Sequence, residues 1–504
     1  MKSKRALLNV IINTVAQILN IVLAFVVRRT FSRMLGDEVL GLNSLFSSIL
    51  AFLTLSELGI GTSISMCLFK PLAESDEEKI AAYMQLLKKI YIVIGFVIMV
   101  AGAICSPFLK YLVNGNFEIR FLITSFGLYV FSTAITYFYS YKKILLGADQ
   151  KNYIVSAANL VYKIVINVAQ YLVLVLTRNY QVFLVVAIIC NFTENCVTSY
   201  ICDQHYPYIG KYHVKLTQEE KRDIMSKIKG MLSYKISNYM IEGTDNIILS
   251  AVLGTVFVAY YNNYYLIINM LYAVFACVAT SSVAGLGNIL YTDKKTLKFA
   301  FSKLLLVQHF VYSFSTTAFA ILATDFVKEF FGEKSILPQT VVLLMVAVYY
   351  IKGYSQAIES VRNCAGEYQK DKYLNLFIAL LNVIISILGA IYCGIAGILI
   401  GTLVCYIIKE IIVVPNIVFS NIIVGQKRWY FKTGVQHFVI TCIIIMICEY
   451  INTHLFIGNV WITWIANGLI CVVVSVGINI AVYHKTEEFL QLKGTLLKII
   501  KRNV

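Results

Sequence analysis

Four amides in the first twenty residues share one helical face. Asn9, Asn13, Gln17 and Asn20 stand four, four and three residues apart, a spacing that stacks them in one narrow stripe of an α-helix. Arg28 continues the stripe, about 12 Å along the axis from the turn expected at Gly36. Amides both donate and accept hydrogen bonds, and a guanidinium grips phosphate or carboxylate oxygens. The face therefore suits a polar, anionic cargo. Yet it lies in an apolar run from Arg5 to Leu35, where a central Arg or Lys costs roughly 2.5–3.5 kcal/mol on insertion scales. It must face other helices or water.

The pattern recurs. Asn159, Lys163, Asn167 and Gln170 repeat it, and so do Tyr234, Asn238, Glu242 and Asp245. Glu57, Glu194, Lys235, Lys352, Glu359 and Lys409 are further ionisable groups within or beside apolar runs. One stripe alone is equally an interhelical hydrogen-bond seam, and any single charge equally an ion pair or a chain reaching to the interface. Several stripes with charges in both halves favour a hydrated central cavity. On that reading Arg28, Lys163, Asn13, Gln17, Asn20, Asn159, Asn167 and Asn238 contact the substrate. Asp245, Glu242 and Glu57 are the candidate sites for a coupling proton or sodium ion. No catalytic group, metal site or cofactor is expected.

Such stripes need membrane-spanning helices to carry them. The chain has 504 residues, 59% of them hydrophobic and 14% charged, which marks an integral membrane protein. Its formal charge of +16 is spread over short segments between apolar runs, where it sets orientation and does not build a nucleic-acid surface. Met1-Lys2-Ser3-Lys4-Arg5 resembles the start of a signal peptide, but the apolar run behind it is too long and no small-x-small cleavage site follows, so it reads as a retained first span. The 12 cysteines are scattered singly and the six histidines do not join them; small buried apolar residues account for them better than disulfides or metal.

Hydropathy and period predict about 14 spans, the first centred near residue 17 and the last near residue 472. Most basic residues fall in alternate connections, which places both termini on the cytoplasmic side of a cell membrane. Leu35-Gly36 matches Leu253-Gly254, and Gly147 to Lys151 matches Gly366 to Lys370, at an offset near 218 residues. Two matches at nearly one spacing indicate an internal duplication of six spans, hence a parallel repeat about the membrane normal. The expected architecture is all-α and polytopic, with six-helix lobes over residues 1–202 and 230–419 around the cavity. A cytoplasmic linker at 203–229 joins them, two added helices span 420–483, and a basic amphipathic tail at 484–504 lies on the membrane surface.

No GxxxxGK[ST] loop, GxSxG, HExxH or kinase-like signature is present, which argues for a transporter and against an enzyme. The outward connections are too short to hold a catalytic domain, which weighs against a membrane glycan polymerase. The cationic groups suit a phosphate or pyrophosphate. The 34 tyrosines can stack on sugars, although interfacial belts are the commoner use.

With Arg28-Arg29-Thr30-Phe31 before Leu35-Gly36, Leu58-Gly59-Ile60-Gly61, Gly147 to Lys151, and Thr244 to Ile248 before Leu253-Gly254, the chain resembles the polysaccharide repeat-unit flippases (Wzx-like). That family belongs to a superfamily with the multidrug and toxin exporters and the lipid II flippases. The resemblance covers the whole chain. It implies two lobes rocking between inward-open and outward-open states. The implied cargo is an undecaprenyl-pyrophosphate-linked oligosaccharide moved to the outer leaflet of a bacterial membrane, with membrane lipids, a polysaccharide polymerase and glycosyltransferases as partners. By position it carries Arg28 and Asp245 into the cavity; Lys163 comes from its stripe alone. The chain lacks the proline and acidic residue within span 1 that mark the multidrug branch, which weighs against drug export; cation-coupled multidrug export and lipid II transport are the alternatives.

Overall fold

The computed structural model describes residues 2–57, 60–149, 151–212, 216–222, 224–225, 236, 239–241, 243–290, 294–365, 372–455 and 458–494. Every regular element among them is helical. The chain divides into two compact units, Met1–Ala259 and Tyr260–Val504. Ten segments among the described residues are long and apolar enough to cross a membrane. Two further helices, of 34 and 36 residues, exceed the roughly 20 that a crossing needs.

The first unit begins with α1 (Lys2–Leu35), α2 (Asp37–Leu53), α3 (Ile60–Glu74) and α4 (Glu77–Cys105). It continues through α5 (Ile119–Ala148), α6 (Asn152–Thr177) and α7 (Tyr180–His205) to α8 (Asp245–Val252) and the start of α9 (Thr255–Leu290). Local chemistry sets these boundaries. Asp76 accepts a hydrogen bond from the Lys79 amide at 3.0 Å ahead of Glu77 and Glu78, a cap reinforced by charges that suit the helix dipole. Asn179 caps α7 by accepting from the Gln181 and Val182 amides. Gly36 and Gly254 both take positive φ, 87° and 107°, so each of the two matched Leu-Gly pairs turns one helix directly into the next. The core is a continuous apolar cluster of Leu42, Phe46, Ile64, Met84, Leu87, Phe126 and Leu145 with their neighbours.

The span expected as one helix near residue 52 is broken. It passes from α2 through a 3₁₀ turn at Thr54–Glu57 to α3, and the turn carries the carboxylate of Glu57.

The second unit holds the rest of α9, then α10 (Lys294–Phe331), α11 (Gln339–Tyr354), α12 (Gln356–Ala365), α13 (Lys372–Cys393) and α14 (Ile395–Tyr406). After them come α15 (Val414–Asn421), α16 (Lys427–His454) and α17 (Val460–Tyr483). Lys409 and Glu410, which the sequence shows interrupting an apolar run, lie in a π-helical turn at Ile407–Val413 ahead of Pro415. A π turn widens the helix locally and leaves the proline a place to enter. The added pair α16 and α17 docks on α10 by polar as well as apolar contacts. Trp464 Nε1 donates to the Leu322 carbonyl at 3.0 Å and Asn479 Nδ2 to Ser313 Oγ at 3.0 Å. His309 and His437 stack at 4.0 Å between centroids, with Tyr354 Oη within 2.9 Å of His437 Nδ1.

α13 and α14 cross through glycine. A Cβ at Gly397 would stand 2.0 Å from the Gly389 carbonyl oxygen, and one at Gly389 would stand 2.5 Å from that of Gly397. Only bare backbone fits there. Gly397→Ala is expected to lower the melting temperature of the purified protein by the equivalent of about 1–3 kcal/mol, the usual cost of overpacking. Gly147→Ala, within a helix and where a Cβ meets open space, is expected to hold or slightly raise the melting temperature.

Candidate functional site

Arg28 lies on α1 two turns before the Gly36 bend, and its Nη2 donates to the Ala259 carbonyl at 3.2 Å. It is half-buried. Its neighbourhood is packed: Phe31 is buried against Tyr180 and Phe183 in edge-to-face contacts, with centroids at 5.8 and 5.0 Å. Ser32 Oγ donates to Asp37 Oδ1 at 2.5 Å across the bend. Asn20 is buried, and its amide atoms meet no hydrogen-bond partner among the described residues. The backbones of Asn9, Asn13 and Gln17 continue α1, but their side chains lie outside what is described.

The second stripe lies on α6. Asn159 and Lys163 are exposed, and Asn167 is half-buried. Asn167 Nδ2 turns back to the Lys163 carbonyl at 2.8 Å, which satisfies the amide locally. Lys163 makes no ion pair among the described residues. An ammonium exposed near the middle of a span is costly against acyl chains, so this face calls for water or an anion.

Asp245 opens α8 and is buried, where the positive end of the helix dipole favours a carboxylate. Beside it, Asn246 Nδ2 donates to Ser48 Oγ at 2.9 Å and Tyr239 Oη to the Ser48 carbonyl at 2.5 Å. The first of these bonds ties α8, and the second the chain just before it, to α2, against which α1 also packs. Asn238 and Glu242 lie outside the described residues.

Glu57 has the most complete surroundings. Its Oε1 accepts from Tyr91 Oη of α4 at 2.7 Å and its Oε2 from Tyr137 Oη of α5 at 2.6 Å. The two phenol rings stand 5.7 Å apart. Both carboxylate oxygens are therefore held at the break in the second span, where irregular backbone and a polar group coincide. Neither tyrosine is singled out by the sequence. The only signal that marks them is that an acid in a span needs donors and that hydroxyl-bearing aromatics supply them.

Other charges resolve into pairs. Glu194 meets Lys143 at 2.7 Å, Glu410 meets Lys409 at 2.8 Å, and Glu359 lies 3.4 Å from Arg362. Lys352 sits 4.6 Å over the Tyr272 ring. Of these, Glu194 forms an ion pair between helices, while the partners of Glu359 and Lys409 lie on their own helical turns. Lys235 lies outside the described residues. No cluster of three metal-ligating groups occurs among those described.

At the end of α5, Asp149 accepts from Tyr206 Oη at 2.5 Å and pairs with Lys151 at 2.8 Å, tying the α5–α6 connection to the chain beyond α7. Burial pushes its carboxyl up, but the Lys151 ammonium and the Tyr206 hydroxyl outweigh that and hold it below its ordinary value. A depressed carboxyl contributes stability above its unfolded value, near 3.9, and loses it as pH falls through the folded value. Melting temperature is thus expected to fall as pH is lowered from about 5 to about 3. In Asp149→Asn that component of the fall disappears and the melting temperature at neutral pH is lower.

Breaking one side of the Lys143–Glu194 pair leaves a charge uncompensated. Lys143→Met is expected to cost about 3 kcal/mol, read as a drop in melting temperature that Glu194→Gln in the same chain largely reverses.

A family model described as "Polysaccharide biosynthesis protein" matches residues 6–284. No curated protein matches the chain. Among solved structures, the lipid II flippase MurJ in an inward closed conformation aligns with a TM-score of 0.72 at 14% identity, covering 94% of this chain and 99% of that one. An inward-facing multidrug resistance MATE family transporter of the MOP superfamily aligns at 0.62 and 16% identity, over 78% of this chain and 93% of that one. A MATE in complex with MaD3S gives 0.57 at 15% identity over 80% and 92%.

Proposed function

This chain belongs to the polysaccharide biosynthesis protein family, and on that premise we propose that it carries a lipid-linked oligosaccharide across the cytoplasmic membrane of a bacterium. The observation that supports this best is a conjunction. The family is one of polysaccharide biosynthesis, and the fold resembles that of a lipid II flippase over 94% of the chain. The proposed cargo is an undecaprenyl-pyrophosphate-linked repeat unit, moved from the inner to the outer leaflet by alternating access with both termini cytoplasmic. Glycosyltransferases would supply it and a polymerase consume it.

The residues have separable parts in this reading. Arg28 and Lys163 take the diphosphate, as charge-assisted donors do. The amides of Asn13, Gln17, Asn20, Asn159, Asn167 and Asn238 meet sugar hydroxyls, while the polyprenyl chain stays in lipid. Asp245, Glu242 and Glu57 hold the coupling proton or sodium ion. Alternatively the membrane potential drives the step, at roughly 2.3 kcal/mol per charge per 100 mV. Two conformations of similar energy are enough, provided that cargo or ion binds one of them better.

Arg28→Ala is expected to abolish surface polysaccharide in a cell whose own copy is deleted, with the protein still inserted in the membrane. Normal polymer from that variant removes Arg28 from the mechanism. Lys163→Gln should weaken binding of a polyprenyl diphosphate roughly tenfold or more, on the scale of a hydrogen bond to a charged group. A deletion strain that displays single repeat units on the outer leaflet points to a polymerase; one that accumulates drugs points to an exporter. Glu57→Gln keeps an acceptor for one phenol and removes the titratable proton. Its transport, measured in vesicles, should lose pH dependence and keep cargo affinity.

A further inference from the structure

The two copies of the internal repeat are joined where they bend. The sequence match starts the second copy near residue 230, yet the first compact unit runs on to Ala259. Thus α8 and the first turn of α9 are packed with the first copy. A Cβ on Gly41, in the second turn of α2, would stand 1.7 Å from the Thr255 carbonyl oxygen and 2.5 Å from its carbon. The same bend is held from a second side. The Thr255 amide donates to the Asn114 carbonyl at 3.3 Å, and Ser250 Oγ donates to the Leu112 carbonyl at 2.7 Å. Gly41, Thr255 and Val258 are all buried.

The register of the repeat gives this contact a place. At the offset of 218, Gly36 matches Gly254, Asp37 matches Thr255 and Gly41 matches Ala259. Gly41 of the first copy lies on Thr255 of the second, and Ala259 accepts the Arg28 guanidinium on its carbonyl. Matched bends of a parallel repeat meet across its axis at one end of the membrane, the outer end on the orientation proposed above. The position matching Gly41 carries alanine, so only one side of the pairing demands bare backbone. At 1.7 Å no small adjustment admits a methyl group, because a helix-initiating carbonyl cannot turn aside as a flexible side chain does. A Cβ there forces the two helices apart.

We propose that the seat of Gly41 on the Gly254–Thr255 bend is a latch that shuts the outer end of the transport path, and that the missing Cβ of Gly41 is what lets it shut. The inference rests on the transport reading for what passes the latch, not for the contact itself. Backbone against backbone, with a few neutral hydrogen bonds, suits a part that opens and closes. Each such bond is modest in net terms and water replaces it when the faces part, whereas a buried ion pair leaves its charges stranded. Closing the latch also brings the Ala259 carbonyl to Arg28, so one movement seals the end and sets the guanidinium proposed to meet the diphosphate.

The test reads closure without any cargo. Val258, 0% exposed and about one turn beyond Thr255 on α9, is replaced by cysteine, and a membrane-impermeant maleimide is added to intact cells. The chain without that cysteine gives the blank. Gly41→Ala penalises the closed state alone, so labelling of V258C should rise roughly tenfold or more, and surface polysaccharide should fall. Ser250→Ala removes a hydroxyl and cannot clash; it should raise labelling a few-fold. Gly127→Ala, where a Cβ meets open space, should label as the parent does. The melting temperature checks that each variant is folded. A folded Gly41→Ala that labels no faster overturns the latch, and so does an equal rise in Gly127→Ala. Where Gly41→Ala does not fold, an unchanged rate in Ser250→Ala overturns it. Labelling that rises only in inverted vesicles overturns the assignment to the outer end. A parent chain that fails to restore surface polysaccharide to a deletion strain overturns the transport reading alone, and the labelling still decides the latch.

Discussion

A charge inside hydrocarbon has to be paired or wetted, and that requirement accounts for much of the arrangement seen here. A lone Arg or Lys at mid-span costs roughly 2.5–3.5 kcal/mol on insertion scales, a sizeable part of a protein's net stability. Three solutions coexist. Glu194 with Lys143 and Glu410 with Lys409 are direct ion pairs. Glu57 is solvated by two phenols in place of a cation. Lys163 has neither among the described residues and stays exposed. The first solution is inert, because a paired charge has little reason to meet a ligand. The second and third leave a carboxyl group held by hydrogen bonds and an ammonium on an exposed face.

The backbone obeys the same rule. Polar peptide groups freed by a helix break must find partners, so breaks occur where side chains or tight geometry supply them. The break in the second span coincides with Glu57, the π turn with the Lys409–Glu410 pair, and the bends at Gly36 and Gly254 with positive φ that glycine adopts freely. In the second unit, Gly389 and Gly397 let α13 and α14 approach until each carbonyl occupies the space of a missing Cβ. A crossing of that kind leaves no room for any side chain between the two helices.

Much of this was legible in the sequence, and the limit has a physical cause. Apolar runs with a helical period exposed the spans, because hydropathy is a property of neighbours along the chain. The Leu-Gly repeat exposed the bends for the same reason. The partners of Glu57 lie 34 and 80 residues away among 34 tyrosines, and nothing local distinguishes those two. Glu194 and its partner Lys143 are 51 residues apart, and nothing local marks them as a pair. The stacking of His309 on His437 joins residues more than a hundred positions apart and has no local mark at all.

The contrast between paired and exposed cations bears on how transport would be driven. If every basic group in the spans were neutralised by protein, a diphosphate would have to break an ion pair to bind, and the gain would be spent on the carboxylate left behind. Lys163 avoids that loss, since the cargo itself would supply the missing counter-charge. On the proposed function, the state that exposes this face to water is favoured when empty, and the state that encloses it is favoured only with an anion in place. A differential of that sort is the one requirement for a ligand to shift a conformational equilibrium. It would also confine the closed state to loaded protein, so that the enclosing step does not run idle.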